Sequence, residues 1–177
     1  MKKRNDHSSI LKGIRGLMFA AIMAALANVL SIPPLAVPIV IGPFESAIHF
    51  SQLPIILSGI LAGPLMGLIT GAVGGIYMAT TRIPFIIGGL AVLGYAAGFL
   101  GRRLKPVLAG VLAGLIQLPY VFFTDYTWFT TFLHMDPNVA MGVIWPIILI
   151  LAIEAFVCAF LAQIVITYLR HVKLIIS

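Results

Sequence analysis

The chain has 177 residues, 61% of them hydrophobic and 9% charged, with a mean hydropathy of +1.13. Soluble domains carry about 25% charged residues, so this composition leaves too little polar surface to face water and excludes the soluble classes. The net charge of +6 would suit nucleic acid, but the basic residues are spread by topology rather than gathered into a patch, and no nucleic-acid partner is expected.

A spanning helix needs roughly 20 apolar residues. The apolar runs predict spans at about 14–32, 46–62, 64–80, 83–100, 106–123 and 140–169. The expected fold is an all-α integral membrane protein, a compact bundle of six transmembrane helices in a single domain over 1–177, with a basic tail at 1–13. Of the eleven Lys and Arg residues, Lys2, Lys3, Arg4, Lys12 and Arg15 precede or open the first span. Arg102, Arg103 and Lys105 lie between spans four and five, Arg170 and Lys173 follow the last, and Arg82 alone belongs to the other side. Basic excess marks the cytoplasmic face, so both termini are expected in the cytoplasm. The run from Leu17 is long enough to span and is followed by prolines without a small-residue cleavage pattern, which reads as a retained first helix rather than a signal peptide.

In the first span, Ala20 and Ala24 share one stripe with Ala21 and Ala25 beside them, a flat surface suited to internal packing or to docking another membrane protein. Asn28 continues that stripe one turn outward and has two readings, as a donor to a ligand or to a neighbouring helix. The connection from Ile32 to Glu45 holds Pro33, Pro34, Pro38 and Pro43 among apolar residues. Proline fixes φ and removes a donor, so this segment is expected to be extended and stiff, folding over the bundle as a lid or anchoring at the interface.

Span two opens with Glu45, His49 and Gln52, whose spacings of four and three place them on one helix face. They form either a polar pocket wall or a capped, solvated helix end. No second histidine stands at ligand spacing, so no metal is expected. Gly59, Gly63, Gly67, Gly71 and Gly75 recur every four residues, and Gly94/Gly98 and Gly110/Gly114 repeat the spacing. Small residues four apart let helix backbones approach in lipid, a packing signal that says nothing of substrate. Arg82 has a ligand anion, Glu45, Asp125 or lipid phosphate as its prospective partners. Tyr77 and Gln117 read as structural.

The connection from Thr124 to Asn138 carries Asp125, Tyr126, Trp128, His134 and Asp136 and reads as a binding loop or an interfacial anchor. Tyr126, Trp128 and Trp145 suit stacking on a planar heterocycle or membership of the interfacial aromatic belt. Glu154 is the sharpest candidate for ligand contact or gating. It lies nine residues after Trp145, hence about 13–14 Å below the outer interface at 1.5 Å per residue. An ionisable group at that depth is costly and usually faces a cavity; its other reading is a hydrogen-bond partner within the bundle. The single cysteine, Cys158, excludes a disulfide.

Taken together, the AxxxA element in FAAIMAALANVL, the proline-rich connection and the segment FSQLPIILSGILAGPLMGLITGAVGG resemble the substrate-binding S component of energy-coupling factor (ECF) transporters, over about Ile14 to Arg170. The resemblance implies a multi-pass protein of the prokaryotic cell membrane that binds a vitamin or precursor on the outer side with high affinity. It also implies docking, through Ala20, Ala21, Ala24 and Ala25, on a membrane-embedded coupling subunit that carries two cytoplasmic ATPases. The loop around Pro33 to Pro43 would gate the site. The chain has no Walker motif of its own, so ATP hydrolysis would lie in the partners. Neither a cofactor nor an enzymatic role is expected: there is no HExxH and no paired glutamate within the spans.

Four of the five acids, Glu45, Asp125, Asp136 and Glu154, fall on the outer half against Arg82 alone. That balance disfavours a polyanion such as folate and favours a neutral or cationic heterocycle, thiamine- or pyridoxine-like. Riboflavin, cobalamin and a nucleobase-like ligand remain open. The competing reading is a stand-alone carrier or channel, against which the inner half offers few polar groups beyond Gln163.

Overall fold

The computed structural model describes residues 6–41 and 44–172, with side chains over 13–40 and 47–172. Helix α1 (Asp6–Leu30) leads into a hairpin of strands β1 (Val37–Ile41) and β2 (Phe44–Ile48). There follow α2 (Gln52–Ala62), α3 (Pro64–Gly74), α4 (Ile76–Thr81), α5 (Ile86–Leu100) and α6 (Pro106–Thr127). A π-helical turn (Trp128–Phe132) then precedes α7 (Pro137–His171). Four stretches are helical, long and apolar enough to cross a membrane: Gly13–Leu30, Pro64–Thr81, Pro106–Phe132 and Pro137–His171. Gln52–Ala62 and Ile86–Leu100 are shorter apolar helices. At 1.5 Å per residue, α2 is about 16 Å long, about half of a 30 Å hydrocarbon core, so the helix predicted over 46–62 is not a full span by itself.

The hairpin occupies the start of the predicted stretch. β1 and β2 pair antiparallel with Val37 opposite Ile48, Pro38 opposite Ala47 and Val40 opposite Glu45. Val37, Ile39, Val40 and Ile41 supply the β-branched residues that favour a strand. A two-stranded ribbon has only edges, where Pro38 is tolerated because its missing N–H need not serve an inner ladder. The segment is extended, as its prolines require, but pairs with itself. Pro33 and Pro34 lie in the turns that precede it, and Pro43 lies outside the described residues. Because 44–48 is strand, Glu45, His49 and Gln52 do not share a helix face.

At Gly63 the chain reverses with φ of +96°, a conformation open to glycine at little cost. Pro64 then starts α3 at a position where a backbone donor is dispensable. The reversal lays α3 beside α5 with the backbones in direct contact. A Cβ on Gly67 would overlap the carbonyl of Gly94, one on Gly71 that of Leu90, and one on Gly94 that of Gly67. α6 and α7 meet in the same manner, with Gly110 and Gly114 against Ala159 and Ala155. A hydroxyl chain ties α2, α3 and α1 together: Ser58 and Thr70 lie 2.6 Å apart, and Thr70 Oγ1 donates to the Ala20 carbonyl (3.3 Å).

The span predicted over 64–80 is broken at Gly75, and Asn28 occupies the break. Its Nδ2 donates to the carbonyls of Val73 (2.9 Å) and Ala24 (3.0 Å), and its Oδ1 accepts the N–H of Tyr77 (2.9 Å). Val73 and Tyr77 are i and i+4 partners of a continuous helix, so the carboxamide stands in for the bond the ladder lacks. A side chain inserted into the i to i−4 ladder is a recognised cause of a helix kink. Asn28 is thereby committed to helix bridging rather than to a ligand. Ala20 and Ala24 are buried against α3, whereas Ala21 and Ala25 are exposed.

Gly16 lies beside Met66, Gly63 beside Arg102, and the backbone N–H of Val107 donates to Gln163 (3.2 Å). These neighbours place Arg15, the 102–105 connection and Arg170 at one end of the bundle. In an open site Gly71→Ala would gain up to about 1 kcal/mol of helix propensity. Here its Cβ meets backbone, and a loss of about 2–3 kcal/mol is expected, read as a lower melting temperature of the detergent-purified chain. Gly13→Ala, with nothing within 4 Å of the added Cβ, is expected to show no such loss. Asn28→Ala exposes three bonding groups at once and is expected to cost about 2–4 kcal/mol in the same assay.

Candidate functional site

At the end opposite the basic cluster, the helices enclose a cavity of about 410 Å³, within the range of about 300–1,000 Å³ usual for small-molecule sites. Its walls come from six parts of the chain. Met78, Thr81 and Arg82 close the α4 side, Ile86 and Leu90 the α5 side, and Gln117, Val121 and Asp125 the α6 side. The π-helical turn contributes Trp128 and Phe129, and α7 contributes Ile147, Ile150, Leu151 and Glu154. Ala47 of β2 and His49 complete the lining from the hairpin side.

Periodicity explains which side chains turn inward. Gln117, Val121 and Asp125 are spaced by four along α6, and Ile147, Ile150, Leu151 and Glu154 follow a three-and-four pattern along α7, so each set shares one helix face. The π-helical turn adds a residue to its ring of hydrogen bonds, a local irregularity that recurs at functional sites. Here it carries Trp128 onto the wall with its indole stacked on Phe132 (centroids 5.1 Å apart) and edge-on to Phe85 (6.1 Å). Asp136 starts the following helix: its Oδ1 accepts the Asn138 N–H (2.9 Å), with Pro137 at the first helical position. Asp136 is therefore a helix cap.

Glu154 is 4% exposed and held by the segment that joins the hairpin to α2. The backbone N–H of His49 donates to its Oε1 (2.7 Å), and Gln52 Nε2 reaches its Oε2 at 3.4 Å. This joins α7 to the start of α2 and explains why a carboxylate is tolerated there: a charge-assisted bond from a backbone donor offsets part of its desolvation. Gln52 is fully buried, and its Oε1 has no hydrogen-bond partner among the described residues. His49 lies in the connection ahead of α2. Its Nδ1 bonds Ser51 Oγ (2.9 Å) and lies 3.9 Å from Glu154 Oε2.

Of the side chains picked out in the sequence, Glu154, His49, Arg82 and Trp128 line one cavity together. Gln52 stands behind Glu154 rather than on the wall. Tyr126 packs with Phe129 and Ile144 beside the cavity. Trp145 is 58% exposed, with its ring against Phe122 (5.8 Å) on the outer surface of the bundle. Glu45 takes its place in β2 opposite Val40, and its side chain lies outside the described residues. Asn28 lies away from the cavity, for the reason given above.

Asp125 and Gln117 belong to the lining although the sequence reading assigned the first to a loop and the second to structure. The signal was their i, i+4, i+8 register with Val121, obscured by ending the fifth span at 123. Nothing between Thr124 and Phe132 breaks a helix, and α6 with its π-helical turn continues to Phe132. Asp125 is 3% exposed. No hydrogen bond or ion pair reaches its carboxylate among the described residues. Nor do three His, Cys, Asp or Glu side chains among them converge in a way that would hold a metal.

The His49–Glu154 bond is testable without a ligand. Glu154→Gln retains an acceptor for the His49 N–H and is expected to melt near the wild type. Glu154→Leu leaves that buried donor unsatisfied and is expected to lose about 1–3 kcal/mol relative to Glu154→Gln, measured as the difference between their melting temperatures.

Compared with known protein families and with curated proteins, the sequence matches none.

Proposed function

We propose that this chain is the substrate-binding S component of an ECF-type importer. It captures a water-soluble vitamin or precursor and delivers it by docking on a membrane-embedded coupling subunit that carries two cytoplasmic ATPases. The observation that carries this reading is the 410 Å³ cavity itself: in a chain this apolar, Glu154, Asp125, Arg82 and His49 line one cavity. A small apolar cavity with a few converging polar groups is the usual form of a small-molecule site. In this reading the chain crosses the cell membrane six times, with the hairpin and α2 together making the second pass and α3–α4 the third. The basic end faces the cytoplasm, and the cavity opens outward.

The hairpin, which contributes Ala47 to the wall, acts as the gate. The docking face is the exposed side of α1, where Ala21 and Ala25 lie beside Met18 and Ile22. Buried Ala20 and Ala24 support that face from beneath. The ligand favoured is a neutral or cationic heterocycle, because the flat Trp128 ring offers a stacking surface.

Uptake tests the assignment. With a coupling subunit and its ATPases co-expressed, cells are expected to accumulate a radiolabelled vitamin such as thiamine, and an ATPase Walker-lysine variant is expected to abolish accumulation. Ala25→Trp is expected to abolish uptake as well while leaving ligand binding by the purified chain unchanged. Accumulation by liposomes that contain this chain alone would replace the proposal with a stand-alone carrier or channel.

A further inference from the structure

We infer that the cavity selects an organic monocation, a protonated amine or a cationic nitrogen heterocycle, and that Asp125 together with Glu154 receives its positive group. The inference rests on reading the cavity as a solute site and adds the charge class of the solute.

Three observations carry it. The first is the state of Asp125. Its side chain is almost fully buried on the cavity wall, and among the described residues no donor or cation contacts its carboxylate. A desolvated carboxylate without a compensating charge is among the costliest groups a protein interior can hold. A cationic ligand group in the cavity would supply the missing charge. Glu154 differs, since its Oε1 already accepts the His49 N–H, which leaves Oε2 with the long contact to Gln52 at 3.4 Å.

The second is the charge balance of the lining. Two carboxylates, Asp125 and Glu154, stand against the single guanidinium of Arg82, and His49 is buried as a ring bonded to Ser51. By formal charge these lining side chains are one positive charge short of neutrality, and a monocation would restore it. An anionic solute would raise the imbalance to two charges.

The third is the nature of the remaining wall. Most of the lining is aliphatic or aromatic, with Trp128 and Phe129 on the side of Asp125. An aromatic face adds attraction for a cation, and an apolar wall suits the organic body of the solute. A hydrated inorganic cation fits poorly. Calcium takes six to eight oxygen ligands and magnesium a near-octahedral set, and the described acidic and histidine side chains form no such cluster.

Calorimetric titration of the full chain in detergent separates this inference from the solute-site reading. The probes are thiamine and pyridoxamine as cations, pyridoxine and riboflavin as neutral compounds, and pantothenate as an anion. Pyridoxamine and pyridoxine form the decisive pair, since they differ in an ammonium against a hydroxyl. The expected result is binding of at least one cation, with pyridoxamine held above pyridoxine. Asp125→Asn is expected to weaken the cation by roughly 30-fold or more at an undiminished melting temperature, because it removes a buried charge, whereas Asp125→Glu keeps the preference for the cation. Tightest binding of pyridoxine, riboflavin or pantothenate, or equal affinity in Asp125→Asn, would overturn the inference and leave the solute site standing. A folded protein that binds none of the five would overturn both.

Discussion

The backbone contact between α3 and α5 is the constraint on which the rest of the bundle depends. Lipid offers helices no hydrophobic reason to associate, so close van der Waals approach and interhelical hydrogen bonds must supply it. Gly67, Gly71 and Gly94 remove every side-chain atom from the contact and bring carbonyl oxygens onto the facing helix. With α3 and α5 locked along this seam, α2 and α1 pack beside α3 and α6 beside α5, and α7 closes against α6 through Gly110 and Gly114. The cavity lies beyond this seam, past the Gly75 break and around the first turns of α5.

That break shows how the same helix can serve packing and function. A straight continuation of α3 would carry α4 along the glycine seam. The interruption at Gly75, stabilised by the Asn28 carboxamide between Val73 and Tyr77, lets α4 present Met78, Thr81 and Arg82 to the cavity instead. In a membrane a broken ladder is viable only if its freed donors and acceptors find partners within the protein. Asn28 is the partner, and its position on α1 couples the first helix to the geometry of the cavity wall.

The two carboxylates illustrate a division between held and unheld charge. Glu154 is fixed by a backbone donor from the connection between the hairpin and α2, so the hairpin and α7 share one polar junction. Asp125 lines the same cavity from α6 and has no such support among the described residues. The Gln52 carboxamide, fully buried with one oxygen unpartnered among the described residues, reaches Glu154 through its Nε2.

The sequence by itself determined what depends on local composition and period. Membrane residence follows from hydropathy, the gathering of basic residues at one end from their positions, and the close helix contacts from glycines four apart. Glu154 was legible as a buried acid at a cavity because an ionisable residue in an apolar helix has few other places to point. What tertiary structure decided are the features whose partners lie far away in the chain. Whether 37–41 pairs with 44–48 is a matter of strand pairing. Whether Asn28 serves a ligand or a helix depends on Gly75 and Tyr77, nearly fifty residues on. Asp125 became a wall residue because α6 continues past 123, and Gln52 a support because α7 brings Glu154 to it. Periodicity tells which residues share a face; only packing tells what that face meets.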